Sequence, residues 1–476
     1  MRTFGRRAFM QRTAVAGLAA TSLSRLTQAQ SGADYDVVIV GAGIAGLTAA
    51  RLLGERGPDL KLLILDARDR VGGRIFTLDD EDAPTGVDVG AQFIHGSNAA
   101  TWELIKEFGL QTRPIDHFGD RQLHAFTQEV GGTVLTSEQR TAVLASVREN
   151  YARHFGADIA LGEFAKELEL TPAQMSAITY DANSWSAEPE AISLRAAVLD
   201  GEAWDAYHDN DFLIYGGYQR LIAQMTAELT GKIRLNSRVS GMVWGEELSA
   251  VFYENRGLES AVTCRCIINT LPIGVMQSGE IQFSPGLPDN KQAAINGLTM
   301  GSMVVIPMVF SEPFWKDVVP NYGGWYSSDG RVYFGVPHPE EGATPVVKGW
   351  FSGAAADQLS AEGPEQAIQT AIGWLEQASG MPGLGAKLNW HHVQDWVTDP
   401  YSRGSYSVTR PGGYGLRATL AQPLGKSLFF AGEATAAPPH YQTVHGAYMS
   451  GKRVAAEVAR ALVPAEESEA TLLELL

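Results

Sequence analysis

The chain of 476 residues is 45% hydrophobic and 19% charged, a composition typical of a folded protein with a large core and room for two or three domains. Its net charge of −17 argues against nucleic-acid binding, because an acidic surface repels phosphates. The sequence carries no zinc motif and no CxxC motif, and we expect no metal. Its two cysteines, Cys264 and Cys266, lie two apart in an apolar run and are interpreted as packing residues.

The first 29 residues resemble a twin-arginine export signal. Arg6 and Arg7 precede an apolar run from Thr13 to Leu23, and small residues lead up to a possible cleavage site after Ala29. The run is too short to cross a bilayer, which requires about 20 residues, so no membrane span is expected. This pattern predicts a bacterial protein that the twin-arginine machinery exports already folded, to the periplasm or beyond.

A strand, a glycine-rich turn, a helix and a second strand follow. Residues 36–40 (DVVIV) predict a buried parallel strand, residues 47–55 a helix, and residues 60–65 a second strand that ends at Asp66. Gly41, Gly43 and Gly46 fit the GxGxxG pattern between the first strand and the helix. They predict a Rossmann-type nucleotide site, with the pyrophosphate at the helix N-terminus and Asp66 near the ribose hydroxyls.

Later runs extend this α/β pattern. We expect helices over residues 136–155, 162–166 and 444–462, and strands over residues 233–243, 263–271, 303–310 and 427–430. Residues 446–452 mimic a phosphate-binding P-loop, but they lie inside the predicted last helix and Arg453 stands where that motif needs Ser or Thr. Residues 67–74 (ARDRVGGR) add glycines and arginines close to the first turn, which favours FAD over a nicotinamide cofactor.

Ten segments occur together in one order along the chain. They are LDARDRVGGR, VDVGAQFIHG, IYGGYQRL, SRV, NTLPIGVM, FSPGLP, FW, residues 396–407, FFAGEAT and TVHGAYMSG. From about Tyr35 to Leu462 the chain therefore resembles the flavin-dependent amine oxidases, especially the polyamine oxidase and histone demethylase branch. The resemblance implies a discontinuous Rossmann-type FAD-binding domain (34–90, 212–290 and 415–463), an inserted α+β substrate-binding domain (91–211 and 291–414) and a C-terminal tail (464–476).

The resemblance also implies which residues hold FAD. Gly432 and Glu433 match the acidic motif at the ribityl and pyrophosphate portion, and Val444 opens the helix that faces the flavin. The full implied set is Gly41, Gly43, Ala45, Gly46, Asp66, Ala67, Arg68, Gly73, Arg74, Gly90, Ala91, Gln92, Phe93, Val239, Gly432, Glu433, Thr443 and Val444. Ser405 stands where covalent monoamine oxidases carry the cysteine that joins the flavin, so noncovalent FAD is expected.

Four residues match the family's catalytic region. Tyr406 and Thr443 match the two sides of the aromatic cage, Trp396 matches a tryptophan packed against the flavin, and His95 matches a histidine that lines the polyamine oxidase pocket. The implied reaction takes a polyamine or another primary or secondary amine to an imine by hydride transfer to flavin N5, and the imine is then hydrolysed.

One departure concerns the electron acceptor. The family usually has a lysine, tied to the reaction with dioxygen, at the position that is Val305 here. Its loss removes a positive charge that would stabilise an anionic transition state. We therefore expect slow reoxidation by dioxygen. The electron acceptor is dioxygen or an unidentified carrier, and with such a carrier the protein would act as a dehydrogenase.

Two alternatives to amine oxidation stay open. An L-amino acid oxidase would need an arginine to hold the substrate carboxylate, with Arg195, Arg220 and Arg403 as candidates. A non-catalytic exported flavin protein would keep FAD as a structural element. A run of acids, Asp200, Glu202, Asp205, Asp209 and Asp211, is interpreted as a solvated face. The sequence specifies no oligomeric state.

Overall fold

The computed structural model describes residues 32–78, 86–115, 123–126, 134–319, 323–336 and 344–462. The predicted export signal (1–29) and the predicted tail (464–476) lie outside these residues. The described residues from Tyr35 to Leu462 form one compact unit. The predicted division of this unit into two domains, with the boundaries given above, stays a prediction.

The strands are short and most of them are buried. In chain order they are β1 (Tyr35–Val40), β2 (Leu62–Leu65), β3 (Thr77–Leu78), β4 (Val87–Asp88), β5 (Ile94–His95), β6 (Thr112–Ile115), β7 (Leu123–Phe126), β8 (Asp211–Ile214), β9 (Ile233–Arg234), β10 (Ser237–Val243), β11 (Ser249–Asn255), β12 (Leu258–Asn269), β13 (Gln282–Ser284), β14 (Leu298–Met300), β15 (Met303–Phe310), β16 (Gly324–Ser327), β17 (Val332–Gly335), β18 (Val346–Ser352), β19 (Leu388–His391), β20 (Gln394–Asp395), β21 (Ser407–Thr409) and β22 (Leu428–Phe430).

The α-helices lie between these strands. They are α1 (Ile44–Arg56), α2 (Trp102–Glu107), α3 (Ser137–Tyr151), α4 (Leu161–Glu167), α5 (Pro172–Ser184), α6 (Leu194–Tyr207), α7 (Gln219–Ala227), α8 (Ile273–Gln277), α9 (Asp289–Asn296), α10 (Gly353–Glu362), α11 (Pro364–Ser379), α12 (Leu416–Ala421) and α13 (Val444–Leu462). None of the helices in the described residues is both long and apolar enough to cross a membrane.

The larger sheet contains the predicted β–α–β unit. Its strand order is β13-β10-β11-β12-β1-β2-β9, with β22 paired to β12. Strands β12, β1, β2 and β9 run parallel, and the apolar side chains of β1 and β2 are buried on both faces. This burial explains why both strands read as continuous apolar runs rather than as alternating patterns. The predicted parallel unit is confirmed.

A second sheet contains β19-β15-β18-β17-β16-β7, with β20 paired to β15. Its strands are mostly antiparallel, and α10 and α11 pack on a separate core beneath it. A small third sheet, β5-β8-β6, pairs His95 directly with Asp211. This mixture of parallel and antiparallel sheets with helices confirms the predicted fold class.

The last helix completes the nucleotide-binding layer. Helix α13 packs along α1, and Gly451 lets the two backbones approach, because a Cβ there would lie closer than 3.0 Å to the carbonyl oxygen of Ala45. Residues 446–452 are helical within α13, as predicted. Both cysteines are buried within β12 and neither is in a disulfide, which agrees with a packing role.

Candidate active site

One cavity of 1090 Å³ begins at the glycine-rich turn and continues between the two large sheets. The sequence-predicted residues line it, with the exception of Gly46. The cavity thus brings together segments that lie up to about 400 residues apart, from Gly41 to Val444. Its walls also carry aromatic side chains that the sequence analysis did not single out: Tyr180, Trp185, Trp204, Tyr326, Trp350, Tyr401 and Tyr441.

The three glycines of the turn have different structural roles. Gly41 adopts φ +109°, a conformation that favours glycine, and a Cβ there would also collide with the Thr270 side chain. Gly46 faces the carbonyl oxygen of Gly41, so that any Cβ would come closer than 3.0 Å to it. A Cβ on Gly43 would meet no protein atom within 4 Å. The first and third glycines therefore shape the turn, and the second leaves open space above it.

Asp66 stabilises the turn as well as lining the cavity. Its carboxylate accepts hydrogen bonds from the backbone N–H groups of Ala42 (2.7 Å) and Arg68 (2.9 Å). Burial raises the pKa of Asp66 and these two N–H groups oppose the shift. The predicted contact with ribose hydroxyls stays a prediction.

Arg68 connects the nucleotide end of the cavity to the aromatic end. Its guanidinium donates to both carboxylate oxygens of Asp399, at 2.8 and 2.7 Å, and to Ser402. It also lies 5.8 Å from the Trp396 ring centroid. The indole N–H of Trp396 donates to the carbonyl oxygen of Val89 at 2.8 Å. These contacts hold Trp396, which is 2% exposed, in one orientation against the cavity.

Glu433 lies at the centre of a buried polar network. Its carboxylate accepts from Arg74 (3.0 Å), from the N–H and hydroxyl of Ser407, and from the N–H of Gln442. Burial alone raises the pKa of Glu433, but Arg74 and the buried Arg417 outweigh it and the net shift is downward. Glu433 is therefore held as a carboxylate, with its oxygens already bonded within the protein.

Tyr406 and Thr443 both line the cavity, and hydrogen bonds hold the hydroxyl group of each. The Tyr406 hydroxyl accepts from Ser186 (2.7 Å) and donates to the carbonyl oxygen of Ser184 (3.1 Å), and burial raises the pKa of Tyr406 to about 12. The Thr443 hydroxyl accepts from the N–H of Gly446 (2.9 Å) at the start of α13. Tyr406 therefore presents a fixed neutral ring, and the hydroxyl of Thr443 serves as a helix cap.

His95 meets two side chains that sequence reasoning did not assign. Its Nδ1 lies 2.7 Å from Asp211 Oδ1, and His208 Nε2 lies 2.9 Å from the same oxygen. Among the described residues these three side chains form a group whose donor atoms are close enough to hold a metal ion. Each short separation is itself that of a hydrogen bond, and we describe the group as a hydrogen-bonded triad, the His95–Asp211–His208 triad.

The interpretation of the acidic run as a solvated face is wrong for two of its members. Asp211 on β8 is 5% exposed and Asp200 on α6 is 7% exposed, because both side chains point inward. Asp205 lies at the cavity wall and pairs with Arg148 at 2.6 Å. The sequence pattern could not separate these acids, since α6 ends between them and the chain direction changes there.

Replacing Asp200 with asparagine is expected to stabilise the protein at pH 7.5. Burial raises the pKa of Asp200 to about 6 from its ordinary 3.8, and one carboxylate oxygen has no hydrogen-bond partner in the described structure. The folded state therefore binds the proton of Asp200 more tightly than the unfolded state does. The stability of the wild type consequently falls as the pH rises from the ordinary pKa of the carboxyl to its raised pKa in the folded state. We expect Asp200→Asn to gain about 1–3 kcal/mol at pH 7.5.

Urea denaturation at several pH values measures this effect. The matched control is Asp209→Asn, because Asp209 is exposed and its hydrogen bonds to Ser97 lower its pKa. We expect the control to gain nothing at pH 7.5. An Asp200→Asn protein no more stable than the wild type at that pH would contradict the assignment.

The region around Val305 holds a lysine on the neighbouring strand. Val305 is buried and pairs with Trp350 across β15 and β18, and Lys348 precedes Trp350 by two positions on the same face. The Lys348 ammonium donates to the carbonyl oxygen of Asp88 (2.6 Å) and to the side chain of Gln92, and burial lowers its pKa. Lys348 does not line the cavity.

Several residues of the site could not be found from sequence patterns. Tyr441 lies two positions before Thr443, and its ring packs 4.4 Å from the Arg417 guanidinium. Trp204 and His208 lie four residues apart at the end of α6 and stack at 5.2 Å. Their helical spacing is the one signal that placed them on a common face.

A Rossmann-type sheet, a shaped glycine turn and an aromatic cavity at the edge of that turn define a dinucleotide-dependent oxidoreductase. The chain belongs to the family described as flavin containing amine oxidoreductase, whose sequence profile matches residues 44–459. The resemblance stated from the sequence motifs is thereby confirmed.

Relatives of two kinds are similar to this chain. Polyamine oxidase 5 of Oryza sativa subsp. japonica is 28% identical, over 90% of this chain and 89% of its own. Lysine-specific histone demethylase 1 homolog 2 of Arabidopsis thaliana is 28% identical over 90% of this chain. This chain spans 59% of that demethylase and 53% of lysine-specific histone demethylase 1B of Mus musculus.

Solved structures of amine oxidases share the fold. Putrescine oxidase, in its wild-type form bound to putrescine, superposes with a TM-score of 0.74 at 22% identity, over 89% of this chain and 99% of its own. Cyclohexylamine oxidase from Brevibacterium oxydans gives a TM-score of 0.74 at 21% identity, over 90% and 99% of the two chains. At sequence identities this low, the two comparisons show a shared fold only.

The residues present fit FAD, the cofactor of this family. The space above Gly43 and the N-terminus of α1 suit a pyrophosphate, because unpaired N–H groups and the helix dipole favour an anion. The start of α13, at Val444, opens onto the same cavity. Residues at the two ends would therefore hold the two ends of one extended cofactor.

Proposed function

We propose that this protein uses noncovalently bound FAD to oxidise a primary or secondary amine, with polyamines among the candidates, to an imine that water hydrolyses. When bound, FAD accepts the hydride from the carbon next to the amine nitrogen. The proposal rests on one observation: a single cavity joins the nucleotide turn to Tyr406, Trp396 and His95.

The chain's own residues bind and orient the amine in this proposal. The rigid rings of Tyr406 and Trp396 restrict the substrate, and aromatic faces tolerate a nearby cation. Asp181, Asp205 and Asp211 line the same cavity and attract a positively charged amine. Restricting the substrate in this way converts an encounter into an oriented reaction.

Ser405 supports noncovalent attachment. Its hydroxyl donates to the carbonyl oxygen of Gly301 at 3.0 Å, and a serine cannot form a thioether with the flavin. Cys264 and Cys266 are buried in β12, and neither lines the cavity. FAD is therefore expected to leave the protein on acid or heat denaturation, and ultrafiltration of the denatured sample would test this.

An anaerobic panel tests the proposed activity. The purified, FAD-loaded protein is mixed with spermine, spermidine, putrescine, phenylethylamine and several L-amino acids, and the flavin absorbance near 450 nm is followed. Bleaching by an amine supports the proposal, since the cofactor must accept electrons. Bleaching by amino acids alone would favour an L-amino acid oxidase, and no bleaching by any compound would favour a non-catalytic flavin protein.

The amine is favoured over an amino acid on a specific ground. Arg195, Arg220 and Arg403, the three candidates for a carboxylate clamp, do not line the cavity, whereas Arg140 and Arg148, which do line it, donate to Tyr326 and to Asp205. Arg403 instead pairs with Glu280 at 2.6 Å. The match over most of the length of a polyamine oxidase supports a small amine rather than a protein substrate.

We further propose that dioxygen reoxidises the reduced protein slowly, so that another carrier is a candidate acceptor. Val305 is uncharged and packs in one cluster with Trp396, which lines the cavity, and the ammonium of Lys348 is bonded to Asp88 and Gln92. Without a cation beside the reacting oxygen, an anionic transition state is less stabilised.

Val305→Lys is expected to increase the rate of reoxidation at least about tenfold, because it restores a cation worth a few kcal/mol to an anionic transition state. Rapid mixing of the reduced protein with aerated buffer measures the rate. Val309→Lys, four residues along the same strand, is the control and should change it little. Fast reoxidation of the wild type that Lys348→Met abolishes would instead assign the missing charge to Lys348.

We also propose export by the twin-arginine machinery, on the strength of Arg6, Arg7 and the short apolar run after them. Export of a folded chain is compatible with a cofactor loaded before translocation. Fractionation of the expressing bacterium tests the proposal, and protein found in the cytoplasm alone would contradict it.

A further inference from the structure

Helices α3 and α5 form one side of the cavity. Each contributes residues at the spacing of a single helix face. These residues are Ser137, Arg140, Thr141, Leu144 and Arg148 of α3, and Ala177, Tyr180, Asp181 and Ser184 of α5. The Tyr406 hydroxyl donates to the carbonyl oxygen of Ser184, the last residue of α5. This side of the cavity therefore begins at Tyr406 and follows both helices.

Arg140 lies on this side against two tyrosine rings. Its guanidinium carbon is 4.8 Å from the ring centroid of Tyr180 and 5.4 Å from that of Tyr326 on β16. The two rings meet edge to face, with their centroids 5.7 Å apart. Arg140 Nη1 donates to the Tyr326 hydroxyl at 3.0 Å and to the carbonyl oxygen of Leu135 at 3.1 Å. The rings and the hydrogen bonds together fix the orientation of the guanidinium.

These contacts leave one edge of the guanidinium without a partner. The N–H groups on Nε and Nη2 of Arg140 donate to no described residue. This edge presents two parallel donors, the arrangement that matches the two oxygens of a carboxylate. Because Arg140 lines the cavity and is only half-buried, the edge is available to a bound anion.

Arg140 differs from the other arginines of the cavity wall in its lack of an acidic partner. Each of the others lies 2.6 to 3.1 Å from a carboxylate oxygen, in the pairs Arg68–Asp399, Arg74–Glu433, Arg148–Asp205 and Arg238–Glu254. No described Asp or Glu pairs with Arg140. Its charge is therefore left for a ligand to neutralise.

The acids on this side of the cavity belong to Arg148 rather than to Arg140. Arg148 lies about two turns further along α3, or about 12 Å, and pairs with Asp205 at 2.6 Å. Burial raises the pKa of Asp181 to about 6, with Arg148 opposing the shift and Asp205 adding to it. The positive charge at Arg140 is thus separate from the acidic group at Arg148.

We propose that Arg140 binds a carboxylate at the end of the substrate remote from the amine, so that the preferred substrate is an ω-amino acid, an amine whose carbon chain ends in a carboxylate. This inference rests on the proposed amine oxidation. The remoteness follows from α5, because Tyr180, which contacts Arg140, lies one turn, about 5.4 Å, from Ser184, which holds Tyr406. An α-amino acid carries its carboxylate on the carbon that loses hydride, and it cannot reach Arg140 as well.

The same arginine disfavours a polyamine. A second ammonium at the far end of the chain would face Arg140, and like charges at short range repel. A methyl group at that end would gain no hydrogen bond. Three amines of one chain length, δ-aminovalerate, pentylamine and cadaverine, therefore differ only in the group that meets Arg140.

The specificity constants of these three amines test the assignment. In the wild type we expect kcat/KM for δ-aminovalerate to exceed that for pentylamine at least about tenfold, the scale of a hydrogen bond to a charged group. Arg140→Met removes the charge and keeps an unbranched side chain between the rings, and this ratio should fall at least about tenfold. Equal losses for both amines would indicate a structural role and would overturn the proposal. Cadaverine as the best wild-type substrate of the three would also overturn it.

Two further variants serve as controls. Arg153→Met removes an equal charge just beyond α3, at an exposed arginine that pairs with Glu149, and should leave the ratio within about twofold. Arg140→Lys keeps the charge without the parallel donors and should lower the ratio at least about threefold, though less than Arg140→Met does. Thermal melting and FAD content identify variants that fail to fold. If Arg140→Met does not fold, a wild-type ratio in Arg140→Lys would overturn the proposal.

Binding of valerate, the corresponding acid without an amine, provides a readout that needs no turnover. Equilibrium dialysis of labelled valerate against the FAD-loaded protein should show binding that Arg140→Met weakens at least about tenfold. Equal binding by the wild type and the variant, or no binding by the wild type, would overturn Arg140 as a carboxylate site. If no amine bleaches the flavin, the proposed oxidation fails, and the dialysis still decides the role of Arg140.

Discussion

Gly46→Ala is expected to lower the free energy of unfolding of the FAD-free protein by ~3 kcal/mol, the upper end of the cost of overpacking. The new Cβ would come closer than 3.0 Å to the carbonyl oxygen of Gly41 and would also press on the Ile39 side chain. The opposing atom is backbone, which no rotamer change can move away. Helix α1 must therefore shift from the strand, and FAD affinity should fall with it.

Gly43→Ala is the matched comparison. It adds the same methyl group three residues earlier, where no protein atom lies within 4 Å, so the FAD-free protein should unfold within about 1 kcal/mol of the wild type. If the pyrophosphate lies above Gly43, FAD affinity should nevertheless fall at least about tenfold.

Urea denaturation of the FAD-free proteins and flavin-fluorescence titration measure the two effects separately. Two outcomes would contradict the assigned roles. One is a Gly46→Ala protein of wild-type stability, and the other is a Gly43→Ala protein that binds FAD as tightly as the wild type.

Glu433→Ala is expected to destabilise the protein by about 3–5 kcal/mol, the usual cost of removing one partner of a buried ion pair. The carboxylate accepts four hydrogen bonds, and its removal would leave Arg74 and the fully buried Arg417 without their common anion. Because the network also connects Ser407 with Gln442, the substitution should also destabilise the segment that leads into α13.

The control is Glu280→Ala at an exposed pair. Glu280 pairs with Arg403 at 2.6 Å, but the two side chains are 47% and 37% exposed, so the change should cost less than about 1 kcal/mol. Denaturation in the presence and absence of excess FAD compares the two variants. Equal effects of the two substitutions would contradict a central role for Glu433.

Sequence patterns were sufficient where one physical requirement governs a short stretch. The apolar run at β1, the glycines that follow it and the helix after them required no knowledge of the rest of the chain. The periodicity of residues 444–462 likewise predicted α13 at its observed bounds. In these segments local backbone sterics and burial act in the same direction.

The patterns were insufficient where distant segments meet. Asp211 belongs to an acidic run that is typical of a solvated surface, yet pairing with β5 turns it inward to His95. Lys348 lies in an apolar strand, and nothing near it in sequence indicates that Asp88 and Gln92 surround its ammonium. Both outcomes depend on strand register, which long-range packing sets.

The sequence by itself determined the family, the nucleotide-binding turn and most of the cavity-lining residues, because glycine sterics and ordered motifs are local properties that the amino-acid order states directly. Only the tertiary structure decided that Asp211 meets His95 and that Glu433 pairs with Arg74 beside the buried Arg417. These contacts arise between segments far apart in the chain, and their energies depend on burial that no local pattern contains.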